Sequence, residues 1–308
     1  MGDHPLEDAH RHRPSQNAAC ARGFSAPLLP RPLAGRSRDL RYRSSVRSSE
    51  WIAFLYFLYL AVVCWLRPLP LSRRLSVTGV SLVLAAIIFT LASAAPLPVR
   101  DWAPFAYVSF GYYVTGWLFV APSVALEAWL LSWDHRLFGD PTTRFARWPG
   151  WLVAYLELVY MCLFLLLPAG FAALVLAGHA TQANHYWTMV LGADLGAFAS
   201  LSIFQTRPPW LLEKPAVLAA GPVRRLSGYM VRNATICVNT FPSGHVAVSI
   251  AIALAVMGSM PLSGFLLLAL AVSVSIACVV GRYHYAVDVF AGAVLAVAVC
   301  AAVWTFGI

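Results

Sequence analysis

An all-α, polytopic membrane helix bundle is the fold class that this sequence predicts, and three observations predict it. Of the 308 residues, 60% are hydrophobic and 11% charged, against roughly 45–50% and about 25% in an average soluble domain. Mean hydropathy is +0.70. The apolar residues gather in long segments, and the one from Leu75 to Val99 carries no charge and exceeds the ~20 residues that a bilayer crossing needs. This excludes a disordered chain, an ordinary cytosolic enzyme and a nucleic-acid-binding domain, so no nucleic-acid partner is expected.

The elements follow in chain order. Residues 1–50 hold nine arginines (11, 13, 22, 31, 36, 38, 41, 43 and 47) against five acids, with Pro, Ser and Gly and no apolar periodicity. They are read as a disordered basic tail and as a topology signal that keeps the N-terminus cytoplasmic. Apolar segments then occupy 51–66, 75–98, 104–122, 150–177, 186–204, 244–260, 262–280 and 286–307. The wetter stretch between Pro122 and Gly150 mixes aromatic and charged residues, as a helix lying at the membrane interface does. Three regions result: the tail at 1–50, membrane segments with an interfacial helix at 51–148, and a membrane core at 149–308.

Span parity sets which face each loop meets. Arg67, Arg73 and Arg74 favour six spans, whereas the length of 104–122 favours eight, the count expected here. Either puts loop 206–243 and the turn at 281–285 on the non-cytoplasmic side. The first long apolar stretch starts only near Trp51, so no signal peptide is expected. The six cysteines form no CxxC pair, so neither a disulfide framework nor a zinc site is indicated.

Three polar clusters border the C-terminal segments: FQTRPPW with Arg207, FPSGHVAVS with Ser243, Gly244 and His245, and GRYHYAVDVFAG with Arg282, His284 and Asp288. Under either even span count they share one face of the membrane. Two histidines can serve as nucleophile and general acid. Asp288, four residues after His284, lies one helical turn on and can hold its ring in one tautomer. Arg207 and Arg282 can grip a phosphate with paired hydrogen bonds, and Ser243-Gly244 before a helix offers amides to an oxyanion. This set fits a transferring phosphoryl group; no metal and no other cofactor is expected.

These clusters resemble the type 2 phosphatidic acid phosphatase and vanadium haloperoxidase superfamily, whose pattern is K-x6-R-P, P-S-G-H and S-R-x5-H-x3-D. The resemblance covers about 110 residues, 200–307. It implies a six-helix phosphatase core at 149–308, with up to two extra N-terminal spans. It also implies His284 as nucleophile forming a phosphohistidine, Asp288 as its orienter and His245 as acid, with Arg207, Arg282, Ser243 and Gly244 holding phosphate. A haloperoxidase is not expected, because those enzymes are soluble. Two positions depart: Ser200 replaces the family lysine, and Ala277-Cys278 replace Ser-Arg. Arg282 or Lys214 is the expected substitute. The RYHYxxD pattern resembles the branch of inositol phosphorylceramide synthases.

The expected activity is therefore an integral membrane lipid phosphatase or phosphotransferase. A head-group transferase is the alternative, and a non-catalytic lipid-binding or transport protein is the alternative from another class. Asp194 and Glu157, inside spans, are read as packing and hydrogen-bonding residues, and Arg224, Arg225 and Arg232 as loop or headgroup contacts.

Overall fold

A computed structural model describes residues 45–213 and 221–308. The greater part of the expected tail, 1–44, and Lys214 lie outside them. The described residues form helices and no strand: α1 Ser48–Val63, α2 Leu71–Ala94, α3 Leu97–Gly116, α4 Val124–Phe138, α5 Pro141–Ala146, α6 Gly150–Met161, α7 Leu163–Leu176, α8 Ala183–Ala199, α9 Pro209–Leu212, α10 Pro222–Ala234, α11 Gly244–Met257, α12 Pro261–Val280 and α13 Ala286–Phe306. Four stretches among them are each long and apolar enough to cross a membrane: Ser48–Leu66, α2, α12 and α13. Helices α6 and α7 pass only together, bent by 63°. The protein is an integral membrane helix bundle.

Two short helices form its centre. α8 packs on α1, α3, α11 and α13, and α11 packs on α7, α8, α12 and α13. Tyr186, Trp187, Met189, Val190, Leu191 and Leu195 of α8 are all buried. The outer helices instead expose large apolar side chains, such as Val83 and Phe89 on α2, Phe265 and Val272 on α12, and Phe290 and Val297 on α13. Lipid tails solvate such faces as well as a core would.

Polar contacts mark the two ends of the bundle. At one end, Ser49 bonds Asn184 at the start of α8, and the Trp187 indole donates to Asp101 O near the start of α3. At the other, Tyr59 donates to Ala199 O, and Gln205 bonds Leu118 O. α1, α3 and α8 therefore run the same way, and the loops after α3 and α8 meet at the end away from the start of α1.

Helix boundaries depart from the apolar segments where charges find partners. α3 begins at Leu97 and takes Arg100 and Asp101 into the bundle, because Arg100 pairs with Glu50 at 2.7 Å and Arg47 with Asp101 at 2.6 Å. A buried charge is tolerated when paired in this way. Likewise Ser48–Glu50, expected in the tail, open α1.

Candidate active site

The three polar clusters come together at the end of the bundle away from the start of α1. Their arrangement begins with the turn between α12 and α13. The amides of Tyr283 and His284 both donate to Cys278 O, at 2.9 and 3.0 Å, and close the end of α12. Arg282 has φ +59°, a left-handed conformation that costs a residue with a side chain on the order of 1–3 kcal/mol. Its guanidinium offsets that strain. Nη1 donates to Asp134 of α4 at 2.7 Å and Nε to Glu213 at 2.8 Å, and Nη2 also binds Glu213. The Trp210 amide donates to Arg282 O at 3.0 Å. The turn so held aims His284 inward, where it is 4% exposed.

α13 then positions the carboxylate of Asp288. Asp288 Oδ2 accepts the Tyr285 amide at 3.1 Å and Asn239 Nδ2 at 2.8 Å. The Ser243 amide donates to Asp288 O at 3.0 Å, which ties the P-S-G-H segment to α13. Gly292 allows this approach: a Cβ there would lie 2.6 Å from Ser243 O. In the result, His284 Nε2 lies 3.3 Å from His245 Nδ1. His284 Nδ1 lies 3.6 Å from Asp288 Oδ2, beyond a good hydrogen bond. Among the described residues neither His284 Nδ1 nor Asp288 Oδ1 has a hydrogen-bond partner. Burial pushes the His284 imidazolium down to about 3, so at neutral pH the ring is uncharged and carries a free lone pair.

The plane of His245 is fixed by aromatic stacking. Tyr160 lies parallel to it at 4.7 Å, and Tyr283 lies parallel to Tyr160 at 3.9 Å. The Tyr283 hydroxyl meets Ser227 at 2.6 Å, the Arg224 guanidinium at 3.0 Å and Glu157, and Arg224 pairs with Glu157. Arg224 thus joins a buried network instead of a solvated loop.

Both arginines expected on phosphate are held by carboxylates. Arg207 forms a fork with Glu127 of α4, Nε to Oε1 at 3.1 Å and Nη2 to Oε2 at 2.8 Å, and its amide also donates to Oε1. Burial works to raise the Glu127 carboxyl, but the bonds from Arg207 outweigh it and hold the group below its usual range. The Arg207 side chain is still 41% exposed, against 2% for Arg282. Ser243 Oγ caps α11 at Val246 N, and the Gly244 amide donates to Thr240 Oγ1. Ser200 Oγ, in the family lysine position, binds Phe241 O, and the Cys278 side chain is buried.

A cavity of about 30 Å³ lies over both histidines, lined also by Trp210, Thr240, Tyr160 and Tyr283. Beside it a wider, mainly apolar cavity of about 170 Å³ reaches His245 between α3, α6, α7 and α10, with Tyr112, Tyr113, Met161, Phe164 and Met230 in its walls. Among the described residues no group of three or more His, Cys, Asp or Glu is placed to hold a metal ion. Sequence reasoning missed Asn239, Glu127, Asp134 and Glu213. Nothing local to them signals their role, since each acts on a partner 49 to 148 residues away.

The sequence profile of the PAP2 superfamily matches residues 128–302, more than half of the chain. No curated protein and no solved structure matches it. The chain belongs to the PAP2 superfamily, and this membership supports a phosphatase-type activity on lipid phosphate.

If Arg282 anchors the turn, Asp134→Ala should destabilise the fold by about 1–3 kcal/mol, because it leaves Arg282 Nη1 and the Ala286 amide without their acceptor. Arg282→Lys should also lower the unfolding temperature, since lysine has no planar fork to bind two carboxylates. Thermal unfolding in detergent checks both, and variants as stable as the parent would show that the turn is held elsewhere.

Proposed function

We propose that this protein transfers the phosphoryl group of a lipid phosphate ester through a phosphohistidine on His284. The observation that carries the reading is the pair of buried imidazoles facing each other at 3.3 Å, with a carboxylate behind one of them. Phosphate enters by separating the two rings. The neutral Nε2 of His284 attacks phosphorus while His245 gives its proton to the leaving alkoxide oxygen. Asp288 accepts the Nδ1–H of His284 and stabilises the charge that develops on the ring. In the second step an acceptor hydroxyl attacks phosphorus, His245 takes its proton, and the P–N bond breaks.

Arg207, exposed and paired with one carboxylate, is the arginine we assign to the phosphate; Arg282 shapes the turn. The first turn of α11 adds an amide. Gly244 and Val246 donate to side chains, and among the described residues the His245 N–H has no such partner, so it is free for an oxyanion. The apolar cavity beside His245 suits the hydrocarbon part of a lipid. Water as acceptor makes the enzyme a phosphatase. A lipid hydroxyl makes it a phosphotransferase; with a phosphodiester donor, whose phosphorus keeps its head group on His284, it is a head-group transferase, the reading that the RYHYxxD resemblance favours. Phosphate release from purified protein, with and without a lipid alcohol, separates the two and also tests for a non-catalytic relative.

We place the site on the non-cytoplasmic face, opposite the basic tail. Cys237, partly exposed on the site loop, should react with a membrane-impermeant thiol reagent on intact cells in a variant that keeps only this cysteine. Reaction only after the membrane is opened would reverse the orientation.

The roles of the two histidines separate by leaving group. A lipid alkoxide needs a proton in the transition state, so His245→Ala should lose on the order of 10²–10⁴-fold on a lipid phosphate. A nitrophenolate leaves without that help, and the same variant should recover much of its rate on nitrophenyl phosphate. Equal loss on both substrates would contradict the assignment of His245 as acid.

A further inference from the structure

Asp194, on the buried central helix α8, has a carboxylate that the architecture does not explain. It is 4% exposed, and among the described residues its side chain has no hydrogen-bond or ion-pair partner. Leaving a buried polar group unmet costs on the order of 1–3 kcal/mol, more when it is charged. A group kept at that cost points to a ligand or a role. The side chain is aimed at the start of α11: Asp194 Oδ1 lies 3.2 Å from where a Cβ at position 244 would stand. The glycine of P-S-G-H therefore leaves room for this carboxylate beside His245.

Between them lies a small space of about 20 Å³, lined by Asp194, His245, Tyr112, Phe164, Leu167 and Phe198. That is room for about one water molecule, which needs two to four polar partners to be held. The partners are present. His245 Nδ1 faces His284, so Nε2, on the far side of the ring, has no protein partner among the described residues. The Tyr112 hydroxyl accepts the Ile236 amide and keeps its own proton to give.

We infer that Asp194 orients His245 through one water, as Asp288 orients His284, and so makes Nδ1 the atom that carries the proton of the reaction. The inference rests on the phosphohistidine reading above. With Nε2–H directed at the water and the carboxylate, neutral His245 keeps its proton on Nε2 and presents a bare Nδ1 toward His284. A phosphate ester that enters as its protonated monoanion gives its proton to the bare Nδ1; when the His284 Nε2–P bond forms and the P–O bond breaks, that Nδ1–H goes to the leaving oxygen. When the acceptor oxygen attacks, its proton returns to Nδ1. Asp194 exchanges no proton with the substrate and acts only through His245: it is a positioning residue. The titratable groups that face His245 are Asp194 from α8, Tyr112 from α3, Tyr160 from α6, Cys237 from the loop before α11, and His284 and Tyr283 from the turn, with Asp288 of α13 behind His284.

A double-mutant cycle with a lipid phosphate tests this. Asp194→Asn should lose about 10- to 100-fold in kcat, and Asp194→Asn/His245→Ala should be no slower than His245→Ala alone. Without the carboxylate, protonated His245 is less favoured, so the alkaline limb of the kcat profile should move to lower pH in Asp194→Asn. Losses that add, or an unmoved profile, would overturn the inference. If the amide variant does not fold, nitrogen-15 spectra of the wild-type histidines, with His245 assigned by its loss in His245→Ala, decide the matter. A neutral Nε2–H tautomer supports the inference, and an Nδ1–H tautomer overturns it. The tautomer is read without turnover, so an inactive wild type would count against the phosphohistidine reading and leave this result standing.

Discussion

The buried cluster of Arg282, Asp134 and Glu213 is the interaction on which the rest of the site depends. One guanidinium holds two carboxylates, leaving an excess negative charge where Arg282 and Asp134 are almost fully buried. The excess is met at the start of α13, where the Ala286 amide donates to Asp134 Oδ1 at 2.9 Å. The positive end of that helix favours a carboxylate there. The cluster joins α4, the end of α9 and the turn in one unit. It stabilises a left-handed Arg282 that isolated sterics disfavour, and it sets the direction in which His284 leaves the turn.

A second cluster works on the other side of the same turn. Glu157, Arg224 and Ser227 hold the Tyr283 hydroxyl, and Tyr283 stacks on Tyr160, which stacks on His245. Residues 282 and 283 are thus fixed by opposite networks, and residue 284 between them and α13 has little freedom left. The small side of α13 completes the arrangement. Gly292 lets Ser243 and Val246 approach α13, as small residues do at membrane helix interfaces. The geometry of the candidate site comes from ionic clusters at the polar end of the bundle, carried by apolar packing below.

Most of this architecture was legible in the sequence, for a physical reason. A helix in lipid must satisfy its own backbone and present apolar faces, and both demands leave a local trace. The segments at 262–280 and 286–307 match α12 and α13 within one residue. What failed was non-local. The segment 150–177 reads as one apolar run, and its division into α6 and α7, bent by 63°, has no signal because both halves are apolar. Helix α10 lies inside what reads as a polar loop, since its half-buried Arg224 is paired with Glu157 on another helix. In the same way Arg207 and Arg282 look like free phosphate ligands until Glu127 and Asp134, from the stretch read as interfacial, are found on them. Motif spacing could bring His245, His284 and Asp288 together; it could not reveal the carboxylates that face the arginines.

The central claim is that His284 becomes covalently phosphorylated in a site built to hold it neutral, buried and oriented. The most direct measurement is rapid quench of the purified protein with a phosphorus-labelled lipid phosphate, followed by recovery of base-stable, acid-labile phosphoprotein and mapping of the modified peptide. The account predicts label on His284 in the parent, none in His284→Ala, and faster loss of label when the acceptor hydroxyl is supplied. Label that persists in His284→Ala, or turnover of the lipid phosphate with no labelled protein at any time, would contradict it.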